Sequence, residues 1–357
     1  MVHFDNITLH LNATSDAHIY YTYLRHMPEG FANIFFGYLK PVLTLFVFSI
    51  NVVMIKVLST KRMRSSANTI LIAIAISDTL NMAFPVIPDM YYYAFGYYKE
   101  YIPPALCRST YYFSSPIPAI CHTVSIWLSV ALAFLRYVSV RFPLVSMRLF
   151  TMKRTIIAIV TICIFSALVY CLHFVAIVFT KVTLQSLKNN NINVDACEVS
   201  FQSLLGINFQ TSTGILIWSS IVLTAFLPCL FLLILDSAML LRLRRQECIR
   251  HQLQNRHCIF YISPVPSDGT RKRTSQMRRS IKLTMVIITL IWLMEIPCSI
   301  VQVIEISLNI NLLPIQIDGQ LIAIWELVTD LSYSQIFLIY CFMSSRFRSA
   351  LREAFRC

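Results

Sequence analysis

His122 to Pro143 reads H-T-V-S-I-W-L-S-V-A-L-A-F-L-R-Y-V-S-V-R-F-P, and this stretch decides the fold. From Ser109 to Leu135 no Lys, Arg, Asp or Glu occurs, a charge-free run of 27 residues. As a helix rising ~1.5 Å per residue, it is long enough to cross a hydrocarbon core of about 30 Å. It ends on Arg136-Tyr137, with Arg141-Phe142-Pro143 just beyond. An arginine on the last turns of a spanning helix is costly against lipid, so it belongs in a wet or protein-lined cavity. Alone, it is equally what an arginine snorkelling to a membrane edge looks like. The neighbouring segments decide between the two.

Of the 357 residues, 57% are apolar and only 13% charged. A soluble domain carries about 25% charged residues, so this chain cannot cover a water-facing surface. The seven glycines are too scattered for a phosphate-cradling loop, and neither H-E-x-x-H nor paired C-x-x-C occurs. No enzyme, cofactor or metal site is expected. A net charge of +13 would suit nucleic acid, but 24 of the 30 Lys and Arg fall at one membrane face and six at the other. That is the positive-inside pattern, and it excludes a nucleic-acid stripe. Six of the 11 cysteines (Cys121, Cys163, Cys171, Cys229, Cys298, Cys341) sit in apolar segments, where Cys acts as a small hydrophobe.

Residues 1–33 are polar and contain Asn6-Ile7-Thr8 and Asn12-Ala13-Thr14, two glycosylation acceptors that place the N-terminal tail outside the cell. No charged stretch followed by a short apolar core precedes them, so the first spanning helix is expected to direct insertion. Seven apolar segments follow, at 36–58, 68–94, 109–140, 155–179, 212–241, 281–305 and 319–342. The basic connectors lie after the first, third, fifth and seventh. They share one side only if seven helices span the membrane and the N-terminus is outside. The expected architecture is an all-α, seven-transmembrane helix bundle over 34–342, in the plasma membrane. Residues 343–357 place Phe347, Leu351 and Phe355 on one face among arginines, a short amphipathic helix for the inner leaflet. Cys357, and also Cys341, is a candidate for palmitoylation. Basic Arg271-Lys272-Arg273 ahead of Thr274-Ser275 marks the 244–280 loop for phosphorylation, and hence for kinase and arrestin. Anchoring to anionic lipid is the competing use of that run.

Asn51 in the first segment, I-A-I-A-I-S-D ending on Asp78 in the second, and H-T-V-S-I-W-L in the third carry a family likeness. W-L-M-E-I-P with Glu295 and Pro297 in the sixth, and Tyr340 before M-S-S-R-F-R in the seventh, add to it. Over about residues 36–355 the chain resembles a rhodopsin-like G-protein-coupled receptor, and most nearly the nematode Srw and FMRFamide- and myosuppressin-receptor-like group. The resemblance implies an activation switch made of Asn51, Asp78, Arg136, Tyr137, Glu295, Pro297 and Tyr340, coupled to a heterotrimeric G protein. It also implies a Cys107–Cys197 bridge. Cys107 stands 29 residues before Arg136, about one helical turn more than the family's spacing, and Pro116 and Pro118 between them are placed to distort the helix. Two departures matter. Leu135 stands where the family has an acid beside the arginine, so the inactive state is expected to be weakly held. Ile336-Phe337 stands where Asn-Pro is usual.

Asp78 lies ~15 Å inside the membrane from Asn68 and should contact Asn51, water or a cation. Asp89, Tyr92, Glu305, Glu326 and Asp330 are the candidate ligand-binding residues. Glu326 and Asp330 are four apart and project from one helix face, where two like charges repel unless a cation sits between them. Lys40 or Arg108 could supply it internally, or a basic ligand group from outside, with Tyr91, Tyr92 and Tyr93 lining an apolar wall. The myosuppressin-like likeness implies an amidated neuropeptide ending in Arg-Phe-amide. The Srw likeness implies environmental peptides or small molecules. A transporter fits less well, because seven spans do not divide into matching repeats and no broken-helix pair recurs.

Overall fold

A computed structural model describes residues 19–20, 29–97, 100–175, 177–186, 192–201, 218, 221–257, 285–286, 289–290, 293, 300 and 315–354. Asn6, Asn12, Glu295, Pro297, Glu305, Cys357 and the 271–275 run lie outside the described residues. Five helices are long and apolar enough to cross a membrane: Gly30–Leu58, Ser66–Ala94, Pro104–Arg141, Met152–Cys171 and Val222–Arg242. They are the first five segments of the sequence. The seventh segment forms Ile315–Ser332 and Gln335–Met343, and Ser345–Ala354 makes the short terminal helix.

Helix ends follow local chemistry. Ser65, in extended conformation, accepts a bond from the Asn68 amide at 3.2 Å and starts the second helix. The third helix is interrupted at Ser115 (φ −128°, ψ −80°), directly before Pro116. Proline has no N–H to donate and pushes its predecessor out of helical geometry. The piece before the break, Pro104–Ser114, carries Cys107, so the extra spacing to Arg136 is taken up at this joint. The seventh helix breaks at Tyr333-Ser334 without any proline. Ser332 and Ser334 hydroxyls bond the Thr329 and Leu331 carbonyls at 2.6 and 2.8 Å, competing with the helical ladder.

The first span begins at Gly30 rather than 36 and the third at Pro104 rather than 109, and two other boundaries differ in kind. The fourth helix ends at Val175, not at 179, because Ile177–Gln185 is strand β2. Its β-branched, alternating I-V-F-T-K-V-T-L-Q favours an extended chain over another helical turn. The fifth helix continues to His257, so 244–257 are helical and only the remainder of the 244–280 stretch is left to a loop. That extension has no Gly or Pro and is rich in Arg and Gln, both good helix formers.

β2 pairs antiparallel with β3 (Asn193–Phe201), with Lys181 opposite Cys197, and β1 (Ile19–Tyr20) adds to the far edge of β3. A disulfide joins Cys197 of β3 to Cys107, pinning the hairpin over one end of the bundle. Under the hairpin lies a core of Phe36, Tyr92, Tyr93, Ile102, Tyr111, Ile177 and Val199. At the opposite end, Leu58, Leu71, Leu128, Leu132, Tyr340 and Phe347 pack the first three helices against the seventh and terminal ones. The fourth helix exposes Ile156, Ile157, Val160, Ile164 and Leu168 on its outer side. Such a stripe has no place in water and is lipid contact surface.

Candidate functional site

Polar side chains run through the bundle at three depths. At the hairpin end the first and second helices approach unusually closely. Each winds there as a π-helix, at Asn33–Leu39 and Met90–Ala94. A Cβ added to Gly37 would lie 3.2 Å from the Ala94 nitrogen, so any larger residue would press the two backbones apart by a few tenths of an ångström. One turn on, this closeness brings Lys40 to the second helix. Its Nζ lies 3.0 Å from Asp89 Oδ2 and 3.0 Å from Glu326 Oε2, with all three residues buried. The ammonium also sits 5.3 Å from the Phe36 ring centroid. Lys40 is therefore the internal cation for Asp89 and Glu326. Arg108, the other candidate, lies over the Phe179 ring at 5.8 Å. Asp330 is buried one turn beyond Glu326. Tyr92 and Tyr93 are buried in the hairpin-end core, and the Tyr92 hydroxyl lies 3.2 Å from that of Thr110; Tyr91 is more open and stacks on Tyr97.

At mid-depth Asp78 is buried and accepts a 2.5 Å hydrogen bond from the Ser125 hydroxyl of the third helix. Asn51 donates to Thr79 Oγ1 at 2.9 Å and to the Ala75 carbonyl at 3.4 Å. It thus ties the first helix to the second at the residues three before and one after Asp78. Ser77 donates to the Cys121 carbonyl at 2.7 Å, a second clamp between the second and third helices. Asn81 reaches the seventh helix, donating to Tyr333 Oη at 2.6 Å beside the serine break. Trp127 donates its indole N–H to the Leu223 carbonyl at 3.0 Å, inside a π-helical turn (Val222–Phe226) that opens the fifth helix. Such a turn disturbs the regular carbonyl ladder and leaves an acceptor for it.

At the far end the Arg136 guanidinium lies beside the Tyr340 hydroxyl. Leu135, in place of an acid, is buried in the surrounding core. Tyr137 packs with Leu235 and Met285 around Ala133, Leu232 and Met239. The Tyr340 ring meets Phe347 of the terminal helix with centroids 5.6 Å apart. Arg348 of that helix donates to the Cys341 and Phe342 carbonyls at 3.0 and 2.8 Å, closing the C-terminus of the seventh helix. Two groups escaped the sequence reading. Ser125 as partner of Asp78 needed the rotation of the third helix to be known. Asp236, within the apolar L-L-I-L-D-S-A-M-L-L of the fifth helix, accepts from Thr289 Oγ1 at 3.2 Å and was legible as an intramembrane acid.

A bundle of apolar helices, five of them long and apolar enough to cross a membrane, threaded by buried polar side chains and with a disulfide-pinned hairpin across one end, is the architecture of a multi-pass membrane protein. The sequence model described as serpentine type 7TM GPCR chemoreceptor Srw matches residues 38–357. The chain belongs to that family of G-protein-coupled receptors and is a multi-pass membrane protein, not an enzyme. It is similar to the "Sex peptide receptor" of Drosophila melanogaster, 27% identical over 339 residues, covering 92% of this chain and 74% of the relative. It is also similar to "Sex peptide receptor-related protein 2" of Caenorhabditis elegans, 25% identical over 332 residues, with 90% and 71% covered.

Proposed function

We propose that this receptor takes an extracellular amidated peptide with a basic residue near its terminus, of the Arg-Phe-amide kind, at the hairpin end. The N-terminal tail then lies outside the cell and the arginine-rich connectors inside, with a heterotrimeric G protein docking beside Arg136. The observation that carries the reading is the buried Lys40 shared by Asp89 and Glu326, with Asp330 buried one turn beyond Glu326 on the same helix. A ligand guanidinium entering there gains charge-assisted bonds and shares Glu326 with Lys40 while adding Asp330. Tyr92 and Tyr93 hold the second helix in place behind Asp89. The sex peptide receptor, by its name, takes a peptide, which supports the peptide class for this chain. Asp78, Asn51, Arg136, Tyr137 and Tyr340 are the relay in this proposal. Ligand binding biases a two-state bundle at one end, and those residues carry the bias to the other.

The test challenges Glu326→Gln and Asp330→Asn receptors with an Arg-Phe-amide peptide and its Arg→citrulline analogue, at matched surface expression. Loss of one partner of a desolvated charge pair costs about 2–5 kcal/mol, more than tenfold in potency. The expected result is that loss, together with reduced discrimination between the two peptides. Wild-type potency and discrimination in both variants would remove the acid cluster from the ligand site. The family's description as chemoreceptors favours a second reading, an environmental peptide or small molecule. A response to non-peptide odorants with none to amidated peptides would select it.

A further inference from the structure

Strand β3 presents backbone bonding groups on the side away from β2. The Cys197 amide donates to the Ile102 carbonyl at 3.2 Å, so Cys197 and its β2 partner Lys181 exchange no hydrogen bonds. In an antiparallel ladder that orientation recurs at every second residue, so Val199 also turns its N–H and C=O away from β2. Opposite Val199 stands Ile19 of β1. The tail thus fills this bonding position with a strand of two residues, Ile19 and Tyr20. Tyr20 stands opposite Glu198, which is buried and accepts from the Thr180 hydroxyl at 2.9 Å. The Val199 side chain points to the other face of the sheet. It belongs to the core that holds Phe36, Tyr93 and Ala323. Phe36 lies under the Lys40 ammonium, and Ala323 precedes Glu326 by about one helical turn. This edge of β3 is therefore joined to the cluster of Lys40, Asp89 and Glu326 through one continuous apolar core.

We infer that this edge of β3 is a strand-addition site for the main chain of an extended peptide ligand, and that Ile19–Tyr20 of the tail is its displaceable placeholder. The ligand is the amidated peptide proposed above, on which this inference depends. Its backbone N–H and C=O groups pair with Val199 whatever its side chains, while its basic end adds charge-assisted bonds at Glu326 and Asp330. The tail holds the edge by two residues alone. A longer strand that makes the same bonds and adds charged ones displaces it. Until then the tail lowers the apparent affinity, because only receptors with a vacated edge accept the peptide. It also keeps an exposed edge from pairing with unrelated chains.

The experiment measures binding of a fluorescent peptide ending in Arg-Phe-amide to receptor in lipid nanodiscs, per mole of folded receptor. Ile19→Pro deletes the donor that faces Val199 and should tighten binding by about twofold to tenfold, the effect of losing one backbone hydrogen bond. Tyr20→Cys with Glu198→Cys joins the strands at a pair that exchanges no hydrogen bonds, where Cα atoms stand about 4.5 Å apart, within disulfide range. With that disulfide verified by mass spectrometry, the tail-locked receptor should bind more than tenfold more weakly than either single-cysteine variant. Methylating the peptide's backbone nitrogens one at a time should weaken binding at alternate positions, those facing β3. Unchanged affinity in both the Ile19→Pro and the locked receptor, or methylation effects without alternation, overturns the inference and leaves the proposed ligand standing. Weaker binding by Ile19→Pro makes the tail part of the site and overturns it too. Binding that follows the tail variants but not Glu326→Gln upholds the strand site and removes the acids from the ligand's contacts. No binding to any of these receptors removes both the proposed ligand and this inference.

Discussion

Replacing Lys40 by Met strips the shared cation from two buried carboxylates at once. In the structure the ammonium lies 3.0 Å from each of Asp89 and Glu326, whose side chains are 0% and 8% exposed. At that depth neither water nor salt screens the acids appreciably. Removing one member of a buried ion pair costs about 3–5 kcal/mol, because the remaining charge stays uncompensated. At about 1.4 kcal/mol per factor of ten, the unfolding equilibrium moves by a hundredfold or more. Thermal unfolding of receptor in detergent, followed together with cell-surface labelling, measures the loss. The triple variant Lys40→Met, Asp89→Leu, Glu326→Met leaves no buried charge in the trio and should recover much of the stability, since replacing a whole buried ion cluster by hydrophobic residues of similar volume is often nearly cost-free. A Lys40→Met receptor as stable as wild type would refute the reasoning, as would a triple variant no better than the single one.

Leu135→Asp should lower ligand-free signalling by giving Arg136 a carboxylate on its own helix; unchanged signalling at equal surface expression counts against it. The exposed Lys181–Asp195 pair, 2.7 Å apart on the hairpin, makes a pH prediction. The hydrogen bond from Lys181 holds the Asp195 carboxyl below its ordinary pKa of 3.8. A depressed carboxylate pKa adds stability above the unfolded pKa, and that stability is lost as pH falls through the folded value. Lys181→Met should therefore return the Asp195 midpoint to the ordinary range in an NMR titration, and a midpoint that stays low would assign the shift elsewhere. Glycosidase treatment of cell-surface receptor should shift its mobility through Asn6 and Asn12, and an epitope inserted near Ser267 should stay hidden in intact cells. External labelling of that epitope would invert the proposed topology.

The first five spans were legible because lipid imposes length and apolarity on every crossing helix. Where the chain leaves the bilayer those constraints lapse. The strand starting at Ile177 looked like a continuation of the fourth apolar segment, since Ile, Val and Phe satisfy both readings and only the alternation through Thr183 separates them. The fifth helix outran its apolar segment for the opposite reason: charged residues end a membrane span but not a helix. Lys40 was visible as a cation within reach of the acids. Its choice of Asp89 and Glu326 depended on the Gly37 contact and the π-helical turns, which no periodicity reveals. Asp236 went unread because it precedes Arg242, Arg244 and Arg245 closely enough to pass for the edge of a span.

The length of the fifth helix has a mechanical consequence. From Leu227 to His257 it runs unbroken for 31 residues, about 45 Å at 1.5 Å per residue. It is held near its start, where Trp127 grips the Leu223 carbonyl. A rod of that length, tilted by about 10° at the grip, sweeps its far tip through about 8 Å. The arginines at 242, 244, 245, 250 and 256 ride on the outer portion of that rod. They travel much farther than any group under the hairpin has to, so a small adjustment in one leaflet becomes a displacement the size of a side chain beyond the other.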